Sequence, residues 1–465
     1  MRRTRVIVIG GGIAGLCAAR ALHPTFDEVV LLERDAYPEG AEARPGVPQA
    51  RHVHALLPRG WIELERLFPG FQARARAAGG VEVDGGSDVA TLRPGGWQPR
   101  VAAGSPVWMM SRDALEALVR SQLRATPIDV REHIEVTGLL PSPGGRARAA
   151  GVLARDRSRG ASLALPADLV VDASGRASRA PEWIQALGAR PPDTSVVDSF
   201  AGYSSRWFRR PDAARWPAGW WWKAAWVDAD PPDHLVGGVL FPVEGHRWIA
   251  TLIGFSRAYP PTDEEGFMRA LGELRSPVIA ASVAHAEPLS GVYGSRALYN
   301  RFRHYERMPD GIEGFTAIGD SVCVFNPVYG QGMSVAALCA ATLRETVSRL
   351  GPAHPGLGRA CFEAQARVFV APWAMAAGAD LRFPATEGER SRFSAFFKVY
   401  ADRLGEASLE DEVVQRRAME VYYLLRQSSA LFSPALVARV VAGAARRRLG
   451  RWGRRAPIAA MPPLA

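Results

Sequence analysis

The N-terminal pattern of apolar and polar residues predicts a strand, a turn, a helix and a second strand. A strand-like run, Arg5–Ile9, leads directly into a glycine-rich turn, and an Ala- and Leu-rich stretch then predicts a helix to about Leu22. Val29–Leu32 predicts a second buried strand, which ends at Glu33. Continuous apolar strands joined through a helix are typical of a parallel βαβ unit.

A similar strand–turn–helix pattern lies late in the chain. A strand-like run ends at Gly319-Asp320, a turn rich in Pro and Gly follows, and an Ala-rich pattern predicts a helix to about Leu350. The stretch Ser321–Leu343 carries no charge and is long enough to cross a bilayer. Because Pro and Gly interrupt its first half, we interpret it as a buried loop with a core helix and predict no transmembrane segment.

The region between these patterns predicts mixed structure. One strand is expected from Leu163 to Val171, and Ser111 is expected to cap a helix. From about Arg190 to Arg301 alternating residues favour a mixed sheet, with strands near residues 235–241 and 247–253. Its tryptophans recur at alternate positions, which predicts that they line one face of a strand.

The last hundred residues predict helices and hold most of the excess positive charge. The predicted helices are Cys361–Val370, Arg390–Leu404, Glu410–Ser428 and Ala435–Leu449. Of the 57 basic residues, seven lie in an acid-free stretch, Arg439–Arg455, and the other 50 nearly balance the 47 acids, so nucleic-acid binding is not predicted. In the last predicted helix the arginines form a basic face. The apolar residues opposite that face are Leu436, Val437, Val440 and Val441. Two interpretations of this helix are open. It contacts an anionic membrane or an acidic partner peripherally, or it is a solvated tail.

Composition adds the size class and the compartment. The 465 residues allow two or three domains, and 48% apolar and 22% charged residues are ordinary for a globular protein. The four cysteines have no CxxC or metal spacing, which favours buried apolar positions in a reducing compartment. The N-terminus runs straight into the first strand and leaves no room for a signal peptide, so we expect a cytoplasmic protein.

The segment Arg44–Leu57 predicts a long loop that enters a helix near Pro58. Its His52 and His54 form an HxH pair, but no third ligand lies nearby in the sequence, so no metal site is predicted. We interpret the segment as a loop laid over a cofactor, with Arg51 offering its guanidinium to phosphate or ribityl oxygens. An ordinary surface loop is the alternative.

The turn Gly10–Gly15 follows the GxGxxG spacing, with a strand before it, a helix after it and an acid about 20 residues further on. Gly10 permits the tight turn, Gly12 lets a pyrophosphate approach the backbone, and Gly15 lets the helix pack on the strand. Glu33 is expected to accept hydrogen bonds from ribose hydroxyls and to repel a 2′-phosphate. The context as a whole predicts a dinucleotide site.

Two later carboxylates also follow strands. Asp320 can accept hydrogen bonds from a polyol, and the free N–H groups near Gly330 and Gly332 favour negative charge. A reduced flavin has both features, a hydroxylated ribityl chain and an anionic N1–C2=O edge. Asp172 opens the turn Asp172-Ala-Ser-Gly at the end of another strand, where open parallel sheets bind ligands.

Together these motifs resemble the single-Rossmann FAD-dependent monooxygenases of the para-hydroxybenzoate-hydroxylase superfamily. The closer likeness is to actinobacterial polyether epoxidases and squalene-epoxidase-like enzymes, through Arg44–Leu57, Phe241–Trp248 and Phe325–Met333. The resemblance implies an α/β (mixed α+β) fold, with a Rossmann-like FAD-binding domain interleaved with a mixed β-sheet substrate domain, plus C-terminal helices. The FAD-binding domain is expected to comprise residues 1–185 and 301–350, with 60–110 partly on the substrate side. The substrate domain is expected at 186–300 and the helical region at 351–465.

The resemblance also implies noncovalent FAD, reduced by NAD(P)H or by a separate flavin reductase. The residues expected to bind FAD are Gly10, Gly12, Ile13, Ala14, Gly15, Glu33, Arg34, Arg51, Arg112, Val136, Asp172, Gly319, Asp320, Pro327, Gly330, Gln331, Gly332 and Met333.

The implied reaction is insertion of one oxygen atom from O₂, through a C4a-hydroperoxyflavin, into a hydrophobic polyketide, polyene or terpenoid. Epoxidation of a C=C bond is the expectation, and no protein group is assigned as catalytic because oxygen transfer to an alkene needs none. Hydroxylation and reduction of an isoprenoid or polyene double bond on the same scaffold are the alternatives. Phenol hydroxylation would need a group to take the hydroxyl proton, for which Tyr203, His246 and Tyr329 are candidates. The pocket candidates are Trp220, Trp222, Phe241, Tyr203, Asn326 and Tyr329.

A flavin halogenase is the sharpest rival, because Gly219-Trp220-Trp221-Trp222 is similar to the Gly-Trp-x-Trp of that family. Lys223-Ala224 follows where Ile-Pro is expected, and no lysine precedes Lys223 to carry activated halogen, so this hypothesis is rejected. A non-enzymatic flavin-binding or membrane-docking regulator is a more distant hypothesis.

Overall fold

The structure, a computed structural model, describes residues 3–449 except 144–146, 213, 215, 218, 310 and 391. Its strands are β1 (Arg5–Ile9), β2 (Glu28–Leu32), β3 (Val81–Val83), β4 (Val89–Arg93), β5 (Gly96–Trp97), β6 (Val107–Met109), β7 (Asp129–Arg131), β8 (Ile134–Pro141), β9 (Ala149–Asp156), β10 (Ser162–Pro166), β11 (Leu169–Asp172), β12 (Thr194–Arg209), β13 (Ala224–Val227), β14 (Val236–Val243), β15 (Arg247–Gly254), β16 (Tyr293–Arg303), β17 (Phe315–Ala317), β18 (Cys323–Val324) and β19 (Glu387–Gly388). Its helices are α1 (Ile13–Leu22), α2 (Pro58–Leu67), α3 (Phe71–Ala77), α4 (Arg112–Leu123), α5 (Ala180–Ala186), α6 (Glu264–Gly272), α7 (Val278–Val283), α8 (Gly332–Leu350), α9 (Leu357–Asp380), α10 (Arg392–Ser408), α11 (Glu412–Tyr422) and α12 (Pro434–Leu449).

The first sheet is parallel, in the order β17–β11–β1–β2–β7. Its strands β1, β2 and β11 are almost entirely buried. The reason is that α1 packs on β1 and β2 and α9 packs on β17, while the small antiparallel sheet β8–β10 lies against β2 and β11. The carboxyl ends of parallel strands share one edge, so the turns after β1, β2, β11 and β17 meet there. The predicted α/β (mixed α+β) fold class is confirmed.

The second, larger sheet is mixed and follows the order β18–β16–β12–β15–β14–β13–β4–β5, with β19 added to β12. Side chains alternate between its two faces. The inner face, which carries Tyr203, Trp226 and Phe241, joins the main core shared with the parallel sheet. The outer face, which carries Phe208 and Trp248, packs on α6 and α7 in a separate cluster.

The predicted strand Leu163–Val171 is wrong in its extent, because two strands of different sheets lie there. β10 ends at Pro166, which has no N–H to continue the ladder. Asp168 then accepts a hydrogen bond from the N–H of Arg5 at 2.8 Å, which starts the pairing of β11 with β1.

The prediction that the tryptophans line one face of a strand is also wrong. Trp220, Trp221 and Trp222 lie in the loop before β13, whereas Trp226 lies within it. The loop tryptophans pack in the outer cluster, where the ring centroids of Trp220 and Trp222 are 4.6 Å apart. Trp226 contacts Phe241 edge-to-face at 6.0 Å on the inner face. Tertiary packing, and not alternation, therefore separates these rings.

Two of the C-terminal helices differ in length from the predictions. Helix α9 continues through Pro372 to Asp380, well beyond the predicted end at Val370. Helix α11 ends at Tyr422 and not at Ser428, and Leu424 just after it adopts a left-handed φ of 60°. No helix in the described part of the chain is long and apolar enough to cross a bilayer.

The basic helix α12 packs on neighbouring helices, so its interpretation as a solvated tail is wrong for the described residues. Peripheral contact with a membrane or an acidic partner stays a prediction. Its Leu436 and Val440 are buried against α10 and α11. Arg439 pairs with Asp411 at 2.8 Å, and Arg447 pairs with two glutamates of the neighbouring segment at 2.7 and 2.9 Å. The last arginines of the predicted basic tail, Arg451, Arg454 and Arg455, lie outside the described residues.

Candidate active site

The turn Gly10–Gly15 leaves room for a ligand at one residue. Gly10 has a φ of 93°, and a Cβ there would lie 2.8 Å from a backbone carbonyl oxygen. A Cβ at Gly15 would lie 1.8 Å from the Gly10 carbonyl oxygen, because α1 packs directly on the turn. At Gly12 the nearest atom to such a Cβ is Nη2 of Arg112, at 4.0 Å. The start of α1 therefore faces open space, as the approach of a pyrophosphate requires.

Glu33 is the centre of a buried cluster beside this turn. Its Oε2 accepts a hydrogen bond from the N–H of Gly11 at 2.8 Å and lies 3.3 Å from Nη1 of Arg44. Tyr37 donates its hydroxyl to the Gly11 carbonyl at 2.9 Å. The cluster fixes the Glu33 carboxylate beside the glycine turn. Sequence reasoning missed Tyr37, which is joined to the turn only through the folded chain.

Asp320 follows β17 and faces the start of α8. Its Oδ1 lies 3.8 Å from the position of a Cβ on Gly332, and Gly319, with a φ of 58°, brings the turn against Ala14 of α1. Burial raises the pKa of Asp320. The guanidiniums that oppose this shift belong to Arg176, Arg301 and Arg112. Within the part of the chain that the structure describes, no group donates a hydrogen bond to this carboxylate, so its lone pairs fit the hydroxyls of a ribityl chain.

The start of α8 is covered by the loop that precedes α2. Ala55 Cβ lies 3.6 Å from the position of a Cβ on Gly330, which has a φ of 63°. The N–H of Leu57 donates to Oγ of Ser334 at 2.9 Å. The loop residues 52–57 therefore lie over the helix start. The other predicted residues of this turn are the exposed Pro327, the buried Gln331 and the half-buried Gly332 and Met333.

Helix α4 places Arg112 beside the glycine turn. Ser111 caps this helix, as predicted, and Glu244 accepts hydrogen bonds from the Ser111 N–H and hydroxyl at 2.8 and 2.7 Å. Arg112 pairs with Glu116 at 2.7 Å, and Glu116 pairs on its other side with Arg44 at 2.7 Å. Burial raises the pKa of Glu116, but the two guanidiniums outweigh burial and lower this pKa below its usual value. An ionised Glu116 thus holds Arg112 in place.

Asp172 and Asn326 do not face the cleft, which corrects their expected roles in cofactor binding and in the pocket. Both are 0% exposed, so neither presents surface to a ligand. Oδ1 of Asp172 accepts two hydrogen bonds from Ser174 and Oδ2 accepts one from Ser178, which holds its own turn together. Asn326 instead donates to a buried carboxylate of α9.

Arg34 and Arg51 are exposed. The Arg51 guanidinium stacks on the ring of Tyr293 at 4.9 Å. Arg44, in the same loop region, lies beside the turn instead, with Nη2 3.3 Å from the Gly11 carbonyl oxygen. Of the other expected cofactor residues, Ile13 is buried in the main core and Val136 of β8 packs against that core.

The inner face of the large sheet lies against the covering loop. His52 Nδ1 lies 2.8 Å from Oγ of Ser205, and its ring lies 5.7 Å from that of Tyr203. Trp226 and Phe241 share this face. Trp220 and Trp222 lie in the outer cluster, so the structure does not bring these pocket candidates to the cleft. His246 lies in an exposed turn between β14 and β15, which corrects its candidacy as a proton acceptor.

A buried polar network joins α9 to the turn before α8. Asp380, the last residue of α9, is 0% exposed and accepts hydrogen bonds from Asn300 at 2.7 Å and Asn326 at 3.0 Å. Its other partner is the Tyr329 hydroxyl, at 2.6 Å. Burial raises the pKa of Asp380 to about 6, although these hydrogen bonds oppose the shift. Sequence reasoning missed Asp380 because it lies 51 residues from Tyr329 in a helix with no local signal.

Comparison with known proteins identifies related chains and folds. A family model described as FAD binding domain matches residues 3–346. Protein Rv3254 of Mycobacterium tuberculosis is 32% identical over 401 residues, which cover 82% of this chain and 81% of that protein. The flavin-dependent brominase Bmp2 superposes with a TM-score of 0.67 at 14% identity, over 96% of this chain and 100% of that one. PqsL, a probable FAD-dependent monooxygenase from Pseudomonas aeruginosa, gives 0.57 at 18% identity, over 90% and 99%. The two solved structures share the fold.

Proposed function

The chain belongs to the FAD-binding-domain family, within the para-hydroxybenzoate-hydroxylase superfamily of FAD-dependent monooxygenases, and we propose that it epoxidises a hydrophobic natural product. FAD is its cofactor. When bound and reduced, FAD activates O₂ and supplies the oxygen atom. The proposed substrate class is a polyketide, polyene or terpenoid with a C=C bond, and the proposed electron source is NAD(P)H or a partner flavin reductase.

The proposed roles of the protein groups in holding FAD follow from the cleft. Glu33 accepts hydrogen bonds from the adenosine ribose, and the N–H groups beside Gly12 bind the pyrophosphate. Asp320, which has no donor among the described residues, accepts hydrogen bonds from the ribityl hydroxyls. The positive end of α8 and Arg112 favour negative charge on the flavin pyrimidine.

The observation that carries the substrate proposal is the apolar inner face of the large sheet. Trp226 is half-buried on this face and packs on Phe241, and the same face contacts the covering loop through Ser205 and His52. Apolar walls exclude water and orient a greasy substrate at the flavin side of the cleft. These features support a substrate that presents an apolar body to Trp226 and Phe241.

Turnover with and without oxygen tests this proposal. Candidate polyenes are incubated with the holoenzyme and NAD(P)H, with or without a flavin reductase, and the products are weighed by mass spectrometry. A gain of one oxygen atom that requires O₂ is expected. A gain of two hydrogens that persists without O₂ would instead identify a reductase and contradict the proposal.

Hydroxylation of a phenol is a second candidate function, favoured by the pairing of Tyr329 with Asp380. The Tyr329 hydroxyl donates a hydrogen bond to Asp380, so the lone pairs of the Tyr329 oxygen stay available to a substrate hydroxyl. The substrate proton would pass to Tyr329 as the Tyr329 proton passes to Asp380. Under this hypothesis, Tyr329→Phe and Asp380→Asn slow turnover of phenols but not of alkenes, and equal effects on both would refute it.

Halogenation is not proposed, although the fold is shared with a brominase. Lys223, the first lysine of the chain, donates hydrogen bonds to Asp88 at 2.9 Å and to the Glu82 carbonyl at 3.0 Å. Its ammonium group is therefore already engaged by groups of the described residues.

A further inference from the structure

His54 presents one ring nitrogen to the cleft that the proposed roles above do not use. Its Nδ1 lies 3.0 Å from the carbonyl oxygen of His52. Because a carbonyl oxygen only accepts, Nδ1 carries the proton and Nε2 keeps its lone pair. Nε2 is accessible and has no hydrogen-bond partner among the described residues. The backbone of the loop thus fixes an imidazole acceptor in one tautomer.

The position of His54 is set by two elements of the cofactor cleft. The next residue, Ala55, contacts the start of α8 at Gly330. The charge of Arg112, which lies beside Gly12, also acts on the His54 ring. His54 therefore lies near both the helix start and the arginine that are proposed to contact the flavin pyrimidine.

The same surroundings keep the ring neutral. Burial, with the charge of Arg112 adding to it, lowers the pKa of His54 to about 3. A group with such a pKa binds no proton near neutral pH, so His54 is unsuited to act as a general base. It remains an acceptor of hydrogen bonds at every pH at which the protein is expected to work.

We propose that Nε2 of His54 accepts a hydrogen bond from a ring N–H of bound flavin. The proposal rests on the proposed placement of the flavin pyrimidine against the start of α8. Flavin offers two such donors, N3–H in both oxidation states and N5–H in the reduced state alone. Both are planar ring N–H groups, and a neutral imidazole acceptor suits either.

Variants of His54 separate the acceptor from the rest of the ring. His54→Asn keeps an amide N–H where Nδ1 bonds to His52 but removes the acceptor at Nε2, whereas His54→Gln places an amide oxygen near Nε2. His285, an exposed residue after α7, provides the control His285→Asn. One hydrogen bond is worth about 0.5–1.5 kcal/mol, so His54→Asn should weaken binding of the flavin redox state that donates it about two- to tenfold, with His54→Gln near wild type.

The flavin itself identifies the donor. Dissociation constants of apoprotein for FAD and N3-methyl-FAD are measured by flavin fluorescence, and the midpoint potential of the holoprotein is measured by redox titration. If N3–H is the donor, wild type binds N3-methyl-FAD more weakly than FAD, and His54→Asn loses that difference. If N5–H is the donor, His54→Asn leaves the affinity for oxidised FAD unchanged. Its midpoint potential then falls by about 30 mV for each tenfold loss of affinity for reduced FAD.

The proposal is overturned if His54→Asn matches His285→Asn within twofold in the dissociation constant for FAD and within about 9 mV in the midpoint potential, the shift that a twofold change corresponds to. The wild-type comparison of FAD with N3-methyl-FAD and His54→Gln keep the test decisive if His54→Asn does not fold. These readouts do not involve substrate. An enzyme that passes them but epoxidises no alkene would contradict the proposed function alone.

Discussion

Asp320→Ala should weaken FAD binding and leave the apoprotein as stable as before or more so. Removing a partly buried carboxylate usually leaves its hydrogen-bond donors without an acceptor, which destabilises the fold. Because no described group donates a hydrogen bond to Asp320, the substitution leaves no described donor without its acceptor. Because burial raises the pKa of Asp320 above its unfolded value, the native state loses stability as pH rises through that pKa. At neutral pH the Asp320 carboxyl group is therefore less favourable for folding than at low pH, and its removal relieves that cost.

The loss of affinity follows from the hydrogen bonds that the carboxylate is proposed to accept. A hydrogen bond to a charged group contributes about 1.5–3 kcal/mol, and a tenfold change in affinity corresponds to about 1.4 kcal/mol. Asp320→Ala should therefore raise the dissociation constant for FAD on the order of tenfold to a hundredfold. Affinity and stability then change in opposite directions, which is typical of a residue that serves a ligand and not the fold.

The assay pairs this variant with a carboxylate that serves the fold. Asp172→Ala removes the acceptor of three hydrogen bonds in its own turn and should lower the melting temperature of the apoprotein. Fluorescence titration with FAD and thermal melts of the apoprotein at pH 7 are run on both variants. The reasoning is refuted if Asp320→Ala binds FAD within twofold of wild type, or if it destabilises the apoprotein as much as Asp172→Ala.

Three further predictions concern the fold around the site. The pKa of Asp380 is raised to about 6 from 3.8, so wild type should lose on the order of 3 kcal/mol of stability relative to Asp380→Asn as pH rises from 4 to 7. Urea denaturation at both pH values measures this, and a pH-independent difference would contradict it. Gly15→Ala should abolish FAD binding, because the new Cβ would lie 1.8 Å from the Gly10 carbonyl oxygen, whereas Gly272→Ala, which meets nothing within 4 Å, should be neutral or slightly stabilising. FAD retention on gel filtration decides between these outcomes. Ser111→Ala should cost about 1 kcal/mol through loss of the α4 cap, and Ser111→Thr should recover most of it in thermal melts.

Much of the fold and of the cofactor cleft follows from local patterns. The glycine turn between β1 and α1, the acid after β2 and the acid after β17 were each predicted in their structural context. Such features are local because a strand with two buried faces, a tight turn and a helix start each need particular residues over a few positions. The helical C-terminus was predicted from its sequence pattern, including the bounds of α12 to within one residue, although the ends of α9 and α11 were not.

The orientation of individual side chains required the tertiary structure. Asp172 ends one strand of the parallel sheet and Asp320 follows another, yet Asp172 accepts hydrogen bonds within its own turn and Asp320 has no donor among the described residues. Trp222 and Trp226 are four residues apart but lie on opposite faces of the large sheet.

The sequence by itself therefore determined which segments form the cofactor cleft, since the backbone needs of turns and buried strands appear in short patterns. The tertiary structure decided which polar groups reach that cleft. Asp380 meets Tyr329, and the loop of His54 meets the start of α8, only because distant elements pack together. Hydrogen bonds and burial between distant segments leave no periodic trace in the chain, so no local pattern could have predicted them.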